Sequence, residues 1–398
     1  MLKLSKRAAA TAPSPIRKFL PLILAAEKRG VKIFKLNVGD PEIMPAVIFW
    51  QTIKDFPAGN LKYAPSPGFE PHVAAWLSYY RRLNIKLKPE QLIPTVGAAE
   101  AILYALMAVA DAGDEVLVFE PFYPSYKSFA TMLGIKLRAV TLKSENQYSL
   151  PPTEKISQKI SQKTKALVVI NPNNPTGTIF TPQEMARLIS IAKKYRLFII
   201  ADETYRDIIF RGKAQSILKL AGAKNCAIVV DSASKRFSLP GARIGCLVSY
   251  QPAVMEGVLK FCMARLSAPT LEQFALIPLL QNPLPYLKKI KAAYFRRCQT
   301  VIKELKKIPG ISFCPPAGAF YISVKLPVAK AEDFIIFLLK KFRYQGQTVA
   351  LTPLSGFYQT PGQGQSEVRI ACVLSPQQLK TALKILGLGL AAYNKKRP

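Results

Sequence analysis

The chain has 398 residues, 49% of them hydrophobic, so it is long enough to bury a large core and to form more than one compact unit. Lysine and arginine (56 residues) outnumber aspartate and glutamate (24 residues), and the formal net charge is +32. This charge attracts anions, but no nucleic-acid-binding motif accompanies it, so we expect no specific nucleic-acid partner. The alternative, a nucleic-acid-binding protein, predicts binding that weakens with salt.

The N-terminal region has only a loose likeness to a targeting peptide, because its apolar stretch, residues 19–26, is short and contains Pro21. No apolar run reaches the roughly 18 residues of a membrane-spanning helix, so we expect no membrane partner. The six cysteines lack CxxC spacing, and His72 is the only histidine. We therefore predict free thiols in the cytoplasm, no metal site, and a structural role for His72.

Apolar runs typical of buried strands alternate with helical segments through the middle of the chain. The predicted strands are residues 115–121, 165–172, 197–203, 226–232 and 245–250. Between them, residues 181–196 predict a helix, because they begin with a threonine cap, a proline and a glutamate three residues after the cap. Continuous apolar strands separated by helices predict a mostly parallel sheet with helices on both faces.

A long helix is predicted over residues 285–308, and it leaves this central region. Three further strands are predicted after it, with intervening helices, at residues 318–326, 349–356 and 367–374. We therefore predict an α/β fold with a large domain, residues 46–284, and a smaller α/β domain built from residues 1–45 and 285–398.

Ligands of open parallel sheets bind outside the carboxyl ends of the strands. The candidate residues at these ends are Tyr123, residues 171–177, residues 202–205 and residues 232–235. They include Lys235, and a lysine side chain can form a Schiff base with pyridoxal phosphate.

The polar residues at the strand ends suit this cofactor. Its ring nitrogen needs an ionised acid, which Asp202 can supply, and Tyr205 and Asn174 can donate to its phenolic oxygen. Tyr123 can cover the ring. For the phosphate, Gly97 precedes a predicted helix whose first amides, at Ala98 and Ala99, would face an anion, and Ser232 and Arg243 add a hydroxyl and a cation.

Four motifs occur in a fixed order along the chain: NPNNPTG (171–177), ADETY (201–205), SASKRFSLPGARIG (232–245) and EVRIACV (367–373). The weaker motifs LNVGDPE (36–42) and YAPSPG (63–68) precede them. Together they resemble the class I/II aminotransferases of the fold-type I pyridoxal-phosphate enzymes. Residues 350–374 look most like bacterial proteins labelled aspartate aminotransferase.

The resemblance implies roles for individual residues. Lys235 would be the Schiff-base lysine and proton carrier, and Asp202 and Tyr205 would act with it. The implied cofactor-binding residues are Tyr63, Gly97, Ala98, Ala99, Tyr123, Asn174, Asp202, Tyr205, Ser232, Lys235 and Arg243. The implied substrate-binding residues are Gly39, Asn174 and Arg369, with Arg369 on the α-carboxylate. Tyr63 would reach the neighbouring subunit's cofactor, which implies a homodimer.

The implied reaction is ping-pong transfer of an amino group from an L-amino acid, best aspartate, to a 2-oxo acid, best 2-oxoglutarate. Aromatic or broad specificity, a carbon–sulfur lyase or cyclopropane-forming synthase, and a regulatory domain that keeps the cofactor site are alternatives. Ser232 and Lys235 also match the SxxK of serine β-lactamases, but no SDN or KTG accompanies them. Arg17 is a candidate for binding a second substrate carboxylate.

Overall fold

A computed structural model describes residues 2–57 and 59–395 of the chain. The α-helices are α1 (Lys6–Ala10), α2 (Leu20–Lys28), α3 (Val47–Lys54), α4 (Glu70–Arg82), α5 (Gly97–Val109), α6 (Ser125–Leu133), α7 (Thr153–Ser157), α8 (Pro182–Tyr195), α9 (Ala233–Arg236), α10 (Pro252–Arg265), α11 (Thr270–Gln281), α12 (Leu284–Leu305), α13 (Ala331–Lys340) and α14 (Pro376–Lys395). The strands are β1 (Lys32–Lys35), β2 (Leu92–Val96), β3 (Glu115–Glu120), β4 (Lys136–Thr141), β5 (Thr164–Ile170), β6 (Phe198–Asp202), β7 (Ala227–Ser232), β8 (Ile244–Ser249), β9 (Ser312–Phe313), β10 (Tyr321–Lys325), β11 (Gln347–Ala350), β12 (Thr352–Pro353) and β13 (Glu367–Ala371).

The central sheet has seven strands in the order β2-β8-β7-β6-β5-β3-β4. All of them run parallel except β8, which is antiparallel to both of its neighbours. The predicted α/β fold with a mostly parallel sheet is therefore confirmed. The direction of β8 was not predicted, because an apolar strand reads the same in either direction.

Both faces of this sheet are buried, as the continuous apolar strands predicted. Along β5, Leu167 and Val169 belong to one apolar cluster, whereas Ala166, Val168 and Ile170 belong to the other. Successive side chains of a strand point to opposite faces, so a strand that is apolar throughout needs a cover on each side. Helices supply both covers, and none of the helices in the described part of the chain is long and apolar enough to cross a bilayer.

Helix α8 begins where its capping pattern predicted. The Thr181 hydroxyl accepts a hydrogen bond from the Glu184 amide at 3.1 Å, and the Glu184 carboxylate accepts one from the Thr181 amide at 2.8 Å. This reciprocal pair satisfies two amides that the first helical turn leaves without partners.

On α4, His72 is fully buried and accepts a hydrogen bond from the Trp76 indole at 3.0 Å. Burial lowers the pKa of His72 to about 3, so it is neutral at physiological pH.

Two smaller sheets lie outside the central one. Strand β1 pairs in parallel with β11, which joins the two ends of the chain, and β12, β13, β10 and β9 form an antiparallel sheet. The single strand predicted at 349–356 is thus divided between two sheets. Only a short 3-10 helix, Ser355–Phe357, separates β12 from β13. The domain limits at residues 45/46 and 284/285 stay a prediction.

Strands β2 and β4 were not predicted. Strand β4 lies at the sheet edge and alternates between exposed and partly buried residues, so it lacks a continuous apolar run. Strand β2 contains Pro94 and Thr95, which interrupt its apolar pattern.

Candidate active site

The chain topology brings six strand ends together. The carboxyl ends of β2, β3, β5, β6 and β7 meet at one edge of the central sheet, beside the amino end of the antiparallel β8. A cavity of about 400 Å³ lies at this edge. The predicted site residues that line it are Gly39, Ala98, Ala99, Tyr123, Asn174, Asp202, Tyr205, Ser232, Lys235, Arg243 and Arg369. Gly97 and Tyr63 are the two predicted residues outside this lining.

Lys235 lies in the single turn of α9, directly after β7. Its amine is half-buried and donates a hydrogen bond to the Gly39 carbonyl at 2.8 Å. Burial, together with the positive charges of Arg369 and Arg243, lowers the pKa of Lys235 from 10.5 to about 8, although Asp40 acts in the opposite direction. A substantial fraction of this amine is neutral near pH 8, and the neutral amine is the nucleophile and the base.

Asp202 is buried at the carboxyl end of β6. Its carboxylate accepts hydrogen bonds from the Thr204 amide at 3.1 Å and from the Tyr126 hydroxyl at 3.4 Å. Burial raises the pKa of Asp202 to about 6, while these hydrogen bonds limit the rise. Within residues 2–57 and 59–395 no lysine or arginine pairs with this carboxylate, so a cationic ligand group in the cavity would complete its environment.

Tyr205 and Tyr321 form a buried pair whose hydroxyl oxygens are 2.9 Å apart. Tyr321 comes from β10 and was not predicted as a site residue. Its hydroxyl packs against Gly39 so closely that a Cβ at Gly39 would lie 1.8 Å from it. Only a glycine fits at position 39, and its carbonyl can therefore reach Lys235.

Arg369 is buried on β13 with its guanidinium at the cavity. It donates to the Asn174 side-chain oxygen at 3.0 Å and to the Asn37 carbonyl at 2.7 Å. The Tyr321 ring lies under it, with the guanidinium carbon 4.3 Å from the ring centroid. These contacts hold the guanidinium in one orientation, as two-pronged recognition of a carboxylate requires.

A second cationic region lies at the start of α5. The amides of Ala98 and Ala99 are in the first turn of this 13-residue helix, where the helix dipole favours an anion. Arg243 approaches the same turn, and a Cβ at Gly97 would lie 2.5 Å from its guanidinium. Gly97 thus contributes by leaving room for Arg243. The Ser232 hydroxyl also lines the cavity and lies 2.9 Å from that of Ser234.

Tyr123 follows β3, lines the cavity and is partly buried, so its position suits a ring that covers a planar ligand. Tyr63 is 79% exposed, and its predicted role depends on a second subunit.

Several lining residues were missed by the analysis of the sequence. Ser14 and Ile16 come from the N-terminal segment, and Ser125 and Ser234 flank predicted residues. Arg17, named only as a candidate, also lines the cavity. Ser14, Ile16 and Ser125 lie outside the motifs, and Ser234 lies in the 232–245 motif but was given no role. Only folding brings residues 14–17 to the strand ends.

Comparison with known proteins agrees with this fold. The model of the family "Aminotransferase class I and II" matches residues 32–386. The chain therefore belongs to the class I and II aminotransferase family and is a transferase.

The relatives carry different substrate names. The aspartate aminotransferase of Thermotoga maritima is 30% identical over 378 residues, which cover 93% of this chain and 95% of the relative. The aspartate/prephenate aminotransferase of Thermus thermophilus is 27% identical over 96% of this chain and 98% of its own length. The solved structure of the alanine aminotransferase from Pyrococcus furiosus has a TM-score of 0.90 and 28% identity, and it covers 98% of this chain and 100% of that chain.

Proposed function

We propose that this aminotransferase uses pyridoxal 5′-phosphate and transfers the amino group of an L-amino acid, best aspartate, to a 2-oxo acid, best 2-oxoglutarate. One observation carries the proposal. A lysine of lowered pKa, a buried carboxylate and an oriented arginine, Lys235, Asp202 and Arg369, line the same cavity.

The residues present fit this cofactor at three points. The Asp202 carboxylate can bind a protonated ring nitrogen, and the hydroxyl of Tyr205 can donate to the phenolic oxygen. The α5 amides, Ser232 and Arg243 can hold a phosphate. When bound, pyridoxal phosphate supplies an electron sink for the electron pair left by breaking the substrate's Cα–H bond.

The chain's own residues perform the remaining tasks. Arg369 binds the substrate α-carboxylate and so orients the Cα–H bond. The Lys235 amine removes the α-proton and returns a proton to the C4′ carbon of the cofactor. Asp202 stays ionised and holds the proton on the ring nitrogen.

An absorption spectrum of the purified protein tests the proposal. We expect a yellow protein whose visible band disappears on addition of aspartate and returns with 2-oxoglutarate. Adding the other amino acids one at a time ranks them as amino donors. A preference for aromatic amino acids would replace aspartate as the proposed donor. Release of ammonia and pyruvate without an acceptor would identify a carbon–sulfur lyase. A colourless protein that takes up no pyridoxal phosphate would contradict the proposal.

Arg369→Ala should weaken the binding of every amino acid. The loss of a buried charged contact to the α-carboxylate costs about 2–4 kcal/mol, or a roughly 30- to 1,000-fold rise in KM. Steady-state kinetics with two donors measures the change, and Arg296→Ala, on the exposed side of α12, is the matched control. An unchanged KM would remove Arg369 from the substrate site.

The preference for aspartate rests on a second cation. Of the described residues that line the cavity, Arg17 is the one arginine or lysine besides Lys235, Arg243 and Arg369. A dicarboxylate needs a cation for its distal carboxylate, and Arg17 is exposed enough to move toward it. The positive net charge also favours acidic substrates.

Arg17→Ala should separate acidic from neutral donors. We expect kcat/KM for aspartate to fall about 10- to 100-fold, because a partly exposed charged contact contributes about 1.5–3 kcal/mol, whereas the value for alanine stays within about twofold. Lys18→Ala is the control, since Lys18 pairs with Glu332 and does not line the cavity. Equal losses for both donors would leave the aspartate preference without support.

We further propose a homodimer in which the partner subunit's Tyr63 completes the phosphate site. Met44, Val47, Leu61 and Tyr63 are each at least 60% exposed, and clustered exposed apolar side chains mark interfaces. Mixing inactive Lys235→Ala with impaired Tyr63→Ala subunits, after dissociation and reassociation, should restore up to about a quarter of the active sites. No recovery in a mixture that sedimentation shows to be dimeric would contradict a role of Tyr63 across the interface.

The thiols support a cytoplasmic location, which we propose on that ground. All six cysteines are free, and five of them are buried. Burial raises the pKa of Cys226 and of Cys262, so these thiols are protonated and unreactive at neutral pH.

A further inference from the structure

The two strand-end segments that carry the site residues also carry a second set of charged residues. The segment after β6 holds Glu203, Arg206 and Asp207, and the segment at the end of β7 holds Asp231 and Arg236. We call these five residues the buried ion cluster. Their side chains are at most 11% exposed, and the described residues that line the catalytic cavity include none of them.

Ion pairs within the cluster cross from one segment to the other in both directions. Arg206 of the first segment donates to the Asp231 carboxylate of the second at 2.7 Å. In return, Arg236 of the second segment lies 3.0 Å from the Asp207 carboxylate of the first. Arg236 also pairs with Asp231, and Arg206 with Glu203.

Helix α4 closes the cluster on its outer side. The Tyr79 hydroxyl donates to Asp207 at 2.7 Å, and the Tyr80 hydroxyl donates to Asp231 at 2.9 Å. The Arg236 guanidinium lies 4.9 Å from the Tyr79 ring centroid, and that of Arg206 lies 5.1 Å from the Tyr80 ring centroid. The aromatic rings thus cover both guanidinium groups, and the hydroxyls bind the two carboxylates in place of water.

Three of the four members of the cross-links, Asp231, Arg236 and Arg206, are next to a predicted site residue in the chain, and Asp207 follows Arg206. Asp231 precedes Ser232, and the Ser232 amide donates to the Asp231 carboxylate at 2.7 Å. Arg236 follows Lys235, and Arg206 follows Tyr205. A shift of either cross-link therefore moves Lys235 relative to the segment that begins at Asp202.

Stability alone is a weak reason for such a cluster. Desolvation of buried charges offsets most of their attraction, and apolar residues of similar volume often stabilise a fold equally well. What a buried ion pair adds is a defined geometry, because two charges in close contact attract each other strongly away from water. Arg206 also donates a hydrogen bond to Asp231, whose length and direction are narrowly constrained. A reacting group that is displaced by about 1 Å can lose about 100-fold in rate.

We propose that the buried ion cluster is a positioning device, whose reciprocal pairs Arg206–Asp231 and Arg236–Asp207 hold the Lys235 turn in place against the Asp202–Tyr205 segment. The role of its members is to position, and none of them touches substrate. The inference rests on the proposed function of Lys235 and Asp202.

A double variant separates positioning from stability. Asp207→Asn removes one of the two carboxylates that Arg236 pairs with, and Arg236→Met leaves the buried Asp207 carboxylate without its cation, so each alone should lower the melting temperature. The double variant removes both charges together and leaves Arg206 with Asp231 and Glu203. We expect it to recover most of the melting temperature, while kcat stays roughly 10- to 100-fold low and KM for the amino acid changes by less than about threefold.

Reactivity of the Lys235 amine supplies a readout that needs no cofactor. Protein freed of cofactor is acetylated at a series of pH values, and the modified lysine is quantified by peptide mass spectrometry. In the wild-type protein the rate should reach half its maximum at a pH of about 8. In the double variant the midpoint should move up toward the 10.5 of an ordinary lysine, because the turn is no longer held in its buried position.

Two further variants keep the test decisive. If the double variant does not fold, Arg236→Lys supplies the test. It keeps the charge but cannot contact Asp207 and Asp231 as a guanidinium does, so it should give a smaller loss of kcat and a smaller shift of the midpoint in the same direction. The control pair Glu304→Gln with Lys307→Met removes a surface ion pair on and after α12 and should change neither readout. A folded double variant, or a folded Arg236→Lys, with wild-type kcat and midpoint would overturn the proposal. Failure of the wild-type protein to bind pyridoxal phosphate would instead overturn the proposed function, and the acetylation midpoints would still test the positioning.

Discussion

Lys235→Ala should abolish amino transfer, with kcat lowered by at least about 10⁴-fold. Lys235 is the one lysine of the described cavity lining, and the variant removes both the proposed covalent anchor and the proposed proton carrier. The two tyrosines of the cavity cannot substitute for the amine, because burial raises the pKa of Tyr205 and of Tyr321 and both stay protonated. A coupled assay for the 2-oxo acid product measures the loss.

The fold should tolerate this change. The Lys235 amine makes one hydrogen bond, to the Gly39 carbonyl, and its alkyl chain is only half-buried, so alanine leaves no buried charge. Lys193→Ala, on the exposed face of α8, is the matched control and should keep full activity. Transamination by Lys235→Ala above a hundredth of the wild-type rate would refute the assignment of the proton carrier.

Asp202→Asn should lower kcat by about 10²- to 10⁴-fold while the protein still folds. Breaking a buried ion pair by neutralising one partner costs about 3–5 kcal/mol, and each 1.36 kcal/mol is about tenfold in rate. The asparagine oxygen can still accept the Thr204 amide, so the local backbone is kept. A rate within tenfold of the wild type would show that Asp202 does not stabilise a cationic ring.

The same variant makes a prediction about pH in the protein freed of cofactor. The pKa of Asp202 is raised from 3.8 to about 6 in the fold, so between these values the folded state binds more protons than the unfolded state. Wild-type stability should therefore fall as pH rises through this window, by about 3 kcal/mol in total. Asp202→Asn should lack that fall, which urea titrations at pH 4 and pH 7 measure.

The strand ends show what could be predicted at the site. Lys235 and Asp202 each follow a continuous apolar strand, and parallel strands bring their carboxyl ends to one edge of a sheet. Their proximity thus follows from periodicity and topology, and the motif order added their roles. Helix α8 could also be predicted, because the reciprocal hydrogen bonds of Thr181 and Glu184 join residues that are only three positions apart in the chain.

Tyr321 and the buried ion cluster could not be predicted in this way. Tyr321 is on a strand of another sheet, and it reaches Tyr205 across 116 residues of chain. In the sequence, Arg206 and Arg236 read as ordinary charged residues near turns, where solvent exposure is the normal expectation. Their burial depends on α4, whose tyrosines supply the partners.

The amino-acid sequence by itself determined the class of fold, the strand ends and the candidate residues that line the cavity there, because apolar periodicity, helix caps and short motifs act over a few residues. Only the tertiary structure decided the direction of β8, the lining contributed by residues 14–17 and the pairing of Arg206 with Asp231 and of Arg236 with Asp207. Those features depend on which distant segments pack together, and local sequence patterns do not give the free energy of that packing.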